Sequence, residues 1–102
     1  MKVLFVCNQN QHRSKTAEEI FKNMFETKSA GLYNENPISS EEIEWADVVA
    51  VMDDDQRSEI AKRFPLLYMK KRILVLNVPD MFYYMQPELV ELLKKQAGKI
   101  KH

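Results

Sequence analysis

Short apolar runs divide this chain at fairly regular intervals. Continuous runs occupy residues 3–6, 48–52 and 73–76, and a shorter candidate, SAGL, occupies residues 29–32. Apolar runs of four or five residues are typical of strands that are buried on both faces of a parallel sheet. The pattern therefore predicts four short strands.

Between these runs, apolar residues recur at the spacing of an α-helix. The first such segment follows the first strand, and a capping box formed by Ser39 and Glu42 predicts the start of a second, short helix. The apolar residues expected on the inner face of the first helix are Ala17, Ile20, Phe21, Met24 and Phe25, and those of the second are Ile43, Trp45 and Ala46.

Two more helices are predicted in the second half of the chain. Acidic residues 53–55 suit the positive end of a helix dipole, and we interpret them as openers of a helix over about 55–63 that Pro65 ends. Because they also follow a strand's carboxyl end, an approach of one of them to the active site is the alternative. Pro87 is a favourable first-turn residue for a closing helix. Its expected inward residues are Leu89, Val90, Leu93, Ala97 and Ile100. Strands that alternate with helices indicate an α/β fold with a parallel sheet and right-handed crossovers.

The first strand leads directly into a segment that is rich in chemistry. Cys7 ends the strand, Arg13 follows after five residues, and Ser14 begins the helical pattern. The five residues between are Asn8, Gln9, Asn10, Gln11 and His12. A loop between a strand's carboxyl end and a helix N-terminus directs backbone N–H groups at one point, which predicts an anion site. We call residues 7–14 the phosphate loop.

This arrangement favours one reaction in particular. A thiol beside a guanidinium and a helix N-terminus should exist partly as thiolate near neutral pH, and the thiolate is the nucleophile. The guanidinium of Arg13 can grip a phosphate with two parallel hydrogen bonds, and Ser14 can donate a hydrogen bond to the sulfur of Cys7. The expected product of attack is a cysteinyl phosphate. A lone cysteine at a strand end is usually a small core residue, but the spacing to arginine and serine favours the phosphate loop.

The stretch VLFVCNQNQHRSKTAEEIF resembles the opening of the low-molecular-weight protein tyrosine phosphatases, whose phosphate loop lies at the N-terminus. The resemblance continues in Ser29-Ala30-Gly31, in VVAVMDDD from Val48 and in DMFY from Asp80, and so covers nearly the whole chain. It is closest to a compact bacterial and archaeal branch of the family. The resemblance implies a three-layer fold of the phosphotyrosine phosphatase I type, with sheet order 2-1-3-4, and places the loop at the switch point where ligands bind.

Three residues depart from the family pattern. Gln9 stands where the family usually has glycine, which matters if that position needs a positive φ angle. His12 stands where a second cysteine usually protects the nucleophile, and we interpret it as a loop or capping residue rather than a catalytic base. Lys15 replaces a proline. Without a second cysteine, an oxidised Cys7 would have to be restored by an outside thiol.

A second catalytic group is expected after the last strand. Asp80 lies at the same sheet edge as Cys7 and matches the acid of the family's Asp-Pro-Tyr motif, although Met81 replaces the proline. Its expected role is to protonate the leaving group and then to activate water. The aromatic residues expected to wall a substrate slot are Phe82, Tyr83, Tyr84 and, on the opposite side, Tyr33.

Composition limits the number of domains and the classes of binding partner. The 102 residues suit one domain, and fifteen basic and fifteen acidic side chains give no electrostatic footprint for nucleic acid or an anionic membrane. The basic residues 70–72 lie at a strand's amino end and receive no substrate role. The single cysteine cannot form an internal disulfide. With no apolar span or signal pattern, we expect a cytoplasmic protein that needs no metal or cofactor.

The sequence predicts a cysteine-dependent phosphomonoesterase, most directly a protein tyrosine phosphatase acting on phosphotyrosine proteins or small aryl phosphates. Three alternatives stay open. One is a phosphate-binding or regulatory domain with little turnover. The second is an arsenate reductase, which would need an external thiol. The third is a phosphotransferase-type cysteine carrier, which Arg13 and Asp80 disfavour because a carrier should protect its phosphocysteine from water.

Overall fold

The computed structural model describes residues 1–101 and consists of four strands and six helices within that range. The strands are β1 (Lys2–Cys7), β2 (Glu26–Gly31), β3 (Val48–Val51) and β4 (Arg72–Val75). The helices are α1 (Arg13–Phe21), α2 (Ser40–Trp45), α3 (Asp54–Arg63), α4 (Pro65–Lys70), α5 (Pro87–Lys95) and α6 (Ala97–Lys101).

The strands form one parallel sheet in the order β2-β1-β3-β4. Successive side chains of β1 point to opposite faces, as strand geometry requires. Val3 and Phe5 pack in a core with α1, α5 and α6, whereas Leu4 and Val6 pack in a second core with α2 and α3. The predicted three-layer α/β fold and its strand order are therefore confirmed.

The parallel pairing places the ends of the strands at one edge. Cys7 is in register with Gly31 at the end of β2, and Val6 is in register with Val51 at the end of β3. The loop after β1 and the helix start after β3 therefore face each other across the switch point of the sheet. Of the helices in residues 1–101, none is long and apolar enough to cross a membrane.

Two predictions in the first quarter of the chain are wrong in extent. The first helix ends at Phe21 and the chain then turns, so that Met24 is 47% exposed, while Phe25 is buried beyond the helix. The second strand begins at Glu26 and not at Ser29. It is an edge strand with alternating exposure, so its apolar residues cluster only at its carboxyl end.

The later boundaries also shift. Asp53 is the N-cap of α3, and the third and fourth strands end one residue before Met52 and Leu76, both of which are buried. Pro65 does more than end α3: it is the first residue of α4, a helix that the sequence prediction missed. The predicted closing helix is divided at Gln96 into α5 and α6. Val90 lies outside the hydrophobic core, whereas Leu92 packs against it. The capping box at Ser39 is confirmed.

Candidate active site

A cavity of about 280 Å³ opens at the carboxyl edge of the sheet. Its lining joins the phosphate loop to one residue from the far end of the chain. The lining residues are Cys7, Asn8, Gln9, Gln11, His12, Arg13 and Asp80. The structure thus brings the expected nucleophile, guanidinium and acid to one cavity, although Arg13 and Asp80 are 67 positions apart in the sequence.

The two remaining loop residues, Asn10 and Ser14, form hydrogen bonds next to the nucleophile. The Sγ atom of Cys7 lies 2.9 Å from the Oγ atom of Ser14, and this hydroxyl donates to the Oδ1 atom of Asn10 at 2.7 Å. Cys7 and Ser14 are buried. The serine hydroxyl is therefore placed to donate to a thiolate once the thiol has lost its proton.

The left-handed backbone conformation in the loop falls on Asn10, with φ 54°, and not on Gln9. Asparagine tolerates this region better than most residues because its short polar side chain can form local hydrogen bonds. Here its Oδ1 atom accepts from Ser14. The loss of glycine at position 9 therefore carries no left-handed strain.

Arg13 is buried and held from two sides. Its Nη1 atom donates to the carbonyl oxygen of Val78 at 2.9 Å and lies 3.5 Å from the Oδ2 atom of Asp53. Its Nε atom lies 3.8 Å from the Oδ1 atom of Asp80. These contacts fix the plane of the guanidinium at the cavity before any anion binds, which reduces the entropy that binding must overcome.

Asp53 has a larger role than its interpretation as a helix opener. Its Oδ1 atom accepts from the backbone N–H of Gln56, as an N-cap does, but its Oδ2 atom faces Arg13. The helix-opener interpretation is therefore correct for Asp53, and the alternative of an approach to the site holds for it as well. The position of Asp53 at the end of β3, next to β1 in the sheet, explains its proximity to the loop.

Gln56 is the residue that the sequence prediction missed altogether. Its side chain is 1% exposed, accepts from the backbone N–H of Met52 at 2.6 Å and donates to the Oδ1 atom of Asn8 at 3.1 Å. One buried amide therefore connects the end of β3 to the phosphate loop.

Replacing Gln56 with leucine should destabilise the protein by about 2 kcal/mol, because buried polar partners would lose their hydrogen bonds. Urea unfolding followed by circular dichroism measures the change. The exposed Ser58 on the same helix offers a control, and Ser58→Leu should stay within about 0.5 kcal/mol. Equal stability of the two variants would show that the buried amide contributes nothing beyond its bulk.

Asp80 also lines a second cavity of about 260 Å³, which adjoins the first. Its other lining residues are His12, Met81, Phe82 and Tyr83. Phe82 is half-buried against the core, whereas Tyr83 is 76% exposed. The structure thus places two of the four expected slot residues at this cavity.

Tyr33 and Tyr84 lie elsewhere. The ring of Tyr33 is stacked on the guanidinium of Arg63, with 5.1 Å between the ring centre and Cζ, and it is in the lining of neither cavity. Tyr84 is likewise in neither lining, but its backbone N–H donates to the Nδ1 atom of His12 at 3.1 Å. His12, and not Tyr33, therefore lines this cavity together with Phe82 and Tyr83.

His12 occupies the N-cap position of α1, but its side chain makes no capping hydrogen bond. The ring instead accepts from Tyr84 and contacts the ring of Tyr83 edge-on, with 5.7 Å between centres. The expectation of a loop position is confirmed. The side chain contacts the segment after β4 and does not cap the helix.

Solved structures with similar folds cover nearly the entire chain. An arginine phosphatase, YwlE, from Geobacillus stearothermophilus has 23% sequence identity and a TM-score of 0.78, over 98% of this chain and 92% of that one. A low-molecular-weight protein tyrosine phosphatase from Bacillus subtilis has 25% identity and a TM-score of 0.79, over 99% and 97%. The tyrosine phosphatase Wzb from Escherichia coli K30, solved with phosphate, has 14% identity and a TM-score of 0.80, over 97% and 94%.

These structures confirm the family resemblance and the fold that the sequence predicted. No protein-family model matches the sequence, and no curated protein matches it significantly. The similar structures are phosphatases by name, which supports the prediction of a phosphoric monoester hydrolase.

Proposed function

This chain has the fold of the low-molecular-weight protein tyrosine phosphatases, and we propose that it is a phosphatase. In this proposal it hydrolyses aryl phosphate monoesters through a cysteinyl phosphate. The observation that carries this proposal is the 2.9 Å contact between Cys7 and Ser14 in a loop whose Arg13 lines the same cavity. A thiol, a hydroxyl that can stabilise its thiolate, and a fixed guanidinium are the groups that this reaction needs.

In the first step, the thiolate of Cys7 attacks phosphorus, so that the S–P bond forms as the P–O bond to the leaving group breaks. Arg13 and the N–H groups at the start of α1 hold the non-bridging oxygens, whose negative charge is stabilised by the helix dipole. The carboxyl group of Asp80 gives its proton to the departing oxygen. The products are an alcohol or phenol, a cysteinyl phosphate and the Asp80 carboxylate.

In the second step, the Asp80 carboxylate takes a proton from water as the water oxygen attacks phosphorus. The S–P bond breaks, inorganic phosphate forms, and the thiolate of Cys7 returns. Ser14 stabilises this leaving thiolate by donating its hydroxyl hydrogen, which Asn10 accepts while Cys7 is a thiol. Every proton and electron pair is accounted for by Cys7, Asp80 and water, and no step calls for a metal ion.

The second cavity supports an aryl group as the substrate's organic part. Phe82 and Tyr83 offer aromatic surface beside Asp80, and a planar ring can pack against it. The substrate class is therefore a phosphotyrosine protein or a small aryl phosphate. A reducing compartment such as the cytoplasm suits a free nucleophilic thiol.

The role of Asp80 is tested by hydrolysis of para-nitrophenyl phosphate between pH 4 and 8, with a reducing agent and a chelator. Asp80→Asn should lower kcat/KM about 100-fold, because the amide can neither donate the proton nor take one from water. Asp55→Asn, on the exposed first turn of α3, is the matched control and should leave the rate unchanged.

The same assay separates the main alternatives. Hydrolysis by Asp80→Asn at the rate of the unmodified protein would show that Asp80 is not the acid. An unmodified protein that binds phosphate without turnover would instead be a phosphate-binding module. Parallel assays with phosphotyrosine and phosphoarginine peptides test the substrate class, and preference for phosphoarginine would contradict the aryl slot.

A further inference from the structure

Asp80 lies in an irregular segment, residues 77–86, that we call the acid loop. The side chain of Asp80 is 66% exposed, and its carboxylate lies 3.8 Å from Arg13. Secondary structure does not fix this carboxyl group relative to Cys7, because the segment runs between β4 and α5. Its position must therefore depend on the contacts that hold the two ends of the loop.

The first end of the loop is held by the sheet edge and by the guanidinium. Val78 donates its backbone N–H to the carbonyl oxygen of Met52 and accepts from Arg13 through its own carbonyl oxygen, both at 2.9 Å. This end is buried, since Val78 is 1% exposed.

The second end is held by the first turn of α1. The backbone N–H of Tyr84 donates to the Nδ1 atom of His12 at 3.1 Å, and the next N–H, from Met85, donates to the Oγ1 atom of Thr16 at 2.9 Å. His12 and Thr16 are four residues apart, one helical turn, so consecutive amides of the acid loop meet adjacent acceptors. Met85 has φ 60°, which marks a tight turn at this anchor.

The hydrogen bond defines the state of the His12 ring. A ring nitrogen that accepts an N–H carries no proton, so the proton of the neutral imidazole is on Nε2. Protonation of Nδ1 would replace this acceptor with a donor that faces another donor. We call the hydrogen bond from the backbone N–H of Tyr84 to the Nδ1 atom of His12 the tether. The tether requires that Nδ1 carries no proton.

We propose that His12 is a positioning residue that holds Asp80 over Cys7 by anchoring the acid loop through its Nδ1 atom. This inference rests on the proposed function, because it gives Asp80 its catalytic task. His12 lines both cavities and is therefore located where the phosphate loop, the acid loop and the aryl slot meet. The acceptor is part of the phosphate loop itself, so the nucleophile and the acid are held by one element.

A pair of amide substitutions separates the two ring nitrogens. In His12→Asn, the Oδ1 atom takes the place of Nδ1 and can accept from Tyr84. In His12→Gln, the amide reaches toward the place of Nε2, and no acceptor remains at the place of Nδ1. We expect His12→Ala and His12→Gln to lower kcat/KM about ten-fold, and His12→Asn to recover most of that loss.

Leaving-group dependence shows whether such a loss acts through Asp80. An ester with a poor leaving group, phenyl phosphate, needs protonation more than para-nitrophenyl phosphate does. The defect of His12→Ala and His12→Gln should therefore be larger with phenyl phosphate. Added to Asp80→Asn, the same substitutions should cause little further loss, because the acid that they position is already absent.

Amide hydrogen exchange at Tyr84 tests the tether in protein without substrate, and so independently of turnover. Relative to its intrinsic rate, exchange should be about ten-fold faster in His12→Ala and His12→Gln than in the unmodified protein, and His12→Asn should retain protection.

The outcomes are distinct from those for the proposed function. If the unmodified protein hydrolyses no phosphate ester, the proposed function fails, and with it the task of Asp80, whatever the exchange shows. If the protein is active but Tyr84 exchange is unaffected by His12→Ala and His12→Gln, the tether is wrong. Faster exchange with unchanged leaving-group dependence would show that His12 orders the loop without positioning Asp80, which overturns the proposal. Rescue by glutamine but not by asparagine would assign the role to Nε2 and would also overturn it.

Discussion

Cys7→Ser should lower the turnover of para-nitrophenyl phosphate by at least about 10⁴-fold, the largest effect expected of any single substitution in this chain. The serine hydroxyl keeps the size and hydrogen-bonding capacity of the thiol but is not ionised near neutral pH, so the attacking thiolate is lost. Ser14, 2.9 Å from the sulfur, can stabilise a thiolate but cannot take the proton away as a general base would.

Phosphate binding should survive this substitution. Arg13 and the loop amides remain, and the repulsion between a thiolate and a phosphate dianion is removed. Calorimetric titration with inorganic phosphate, alongside the hydrolysis assay, separates binding from turnover. Ser58→Ala, at an exposed site on α3, controls for preparation and should leave both unchanged. Turnover in Cys7→Ser close to that of the unmodified protein would exclude a cysteinyl phosphate.

Arg13→Lys should lower kcat/KM about 100- to 1,000-fold, although the charge of the side chain is preserved. The ammonium group has no planar pair of donors for two phosphate oxygens. It also lacks the separate Nη1 and Nε atoms that now contact Val78, Asp53 and Asp80. A lysine at this buried position would leave these partners incompletely satisfied and the phosphate less firmly oriented.

The measurement for Arg13→Lys is the separate determination of kcat and KM, combined with phosphate titration. We expect weaker phosphate binding together with a lower kcat, since in the proposed mechanism the guanidinium contacts both the ground state and the transition state. Arg57→Lys is the matched control, because Arg57 pairs with Asp54 on the exposed surface of α3, and its kinetics should match those of the unmodified protein. Equal kinetics for Arg13→Lys would mean that charge alone suffices and that the bidentate grip is absent.

The positions of the buried strands could be predicted from the sequence because they depend on local composition. β1 and β3 read as continuous apolar runs, and both are buried on the two faces of the sheet. β2 could not be delimited in this way. It lies at the edge of the sheet, so pairing with β1, rather than its own residues, decides that Glu26 is extended.

Helix ends could likewise be predicted only where they depend on local interactions. The start of α2 was predictable because a capping box is a local interaction between Ser39 and Glu42. The end of α1 was not, because the apolar spacing continues through Phe25 while the chain must turn to begin β2. Proline at position 65 is compatible both with the end of one helix and with the start of another, and only packing decides between them.

The sequence by itself was enough to predict the candidate nucleophile and its immediate neighbours. Cys7, Arg13 and Ser14 lie within eight residues between a strand and a helix, so their proximity follows from local backbone geometry. Only the tertiary structure decided that Asp53 faces Arg13, that Gln56 holds Asn8, and that His12 receives the N–H of Tyr84. These contacts join residues 40 to 72 positions apart, and they form because parallel strands bring separate loops to one edge of the sheet. Sequence spacing carries no distance information across such separations, whereas the folded sheet fixes these distances.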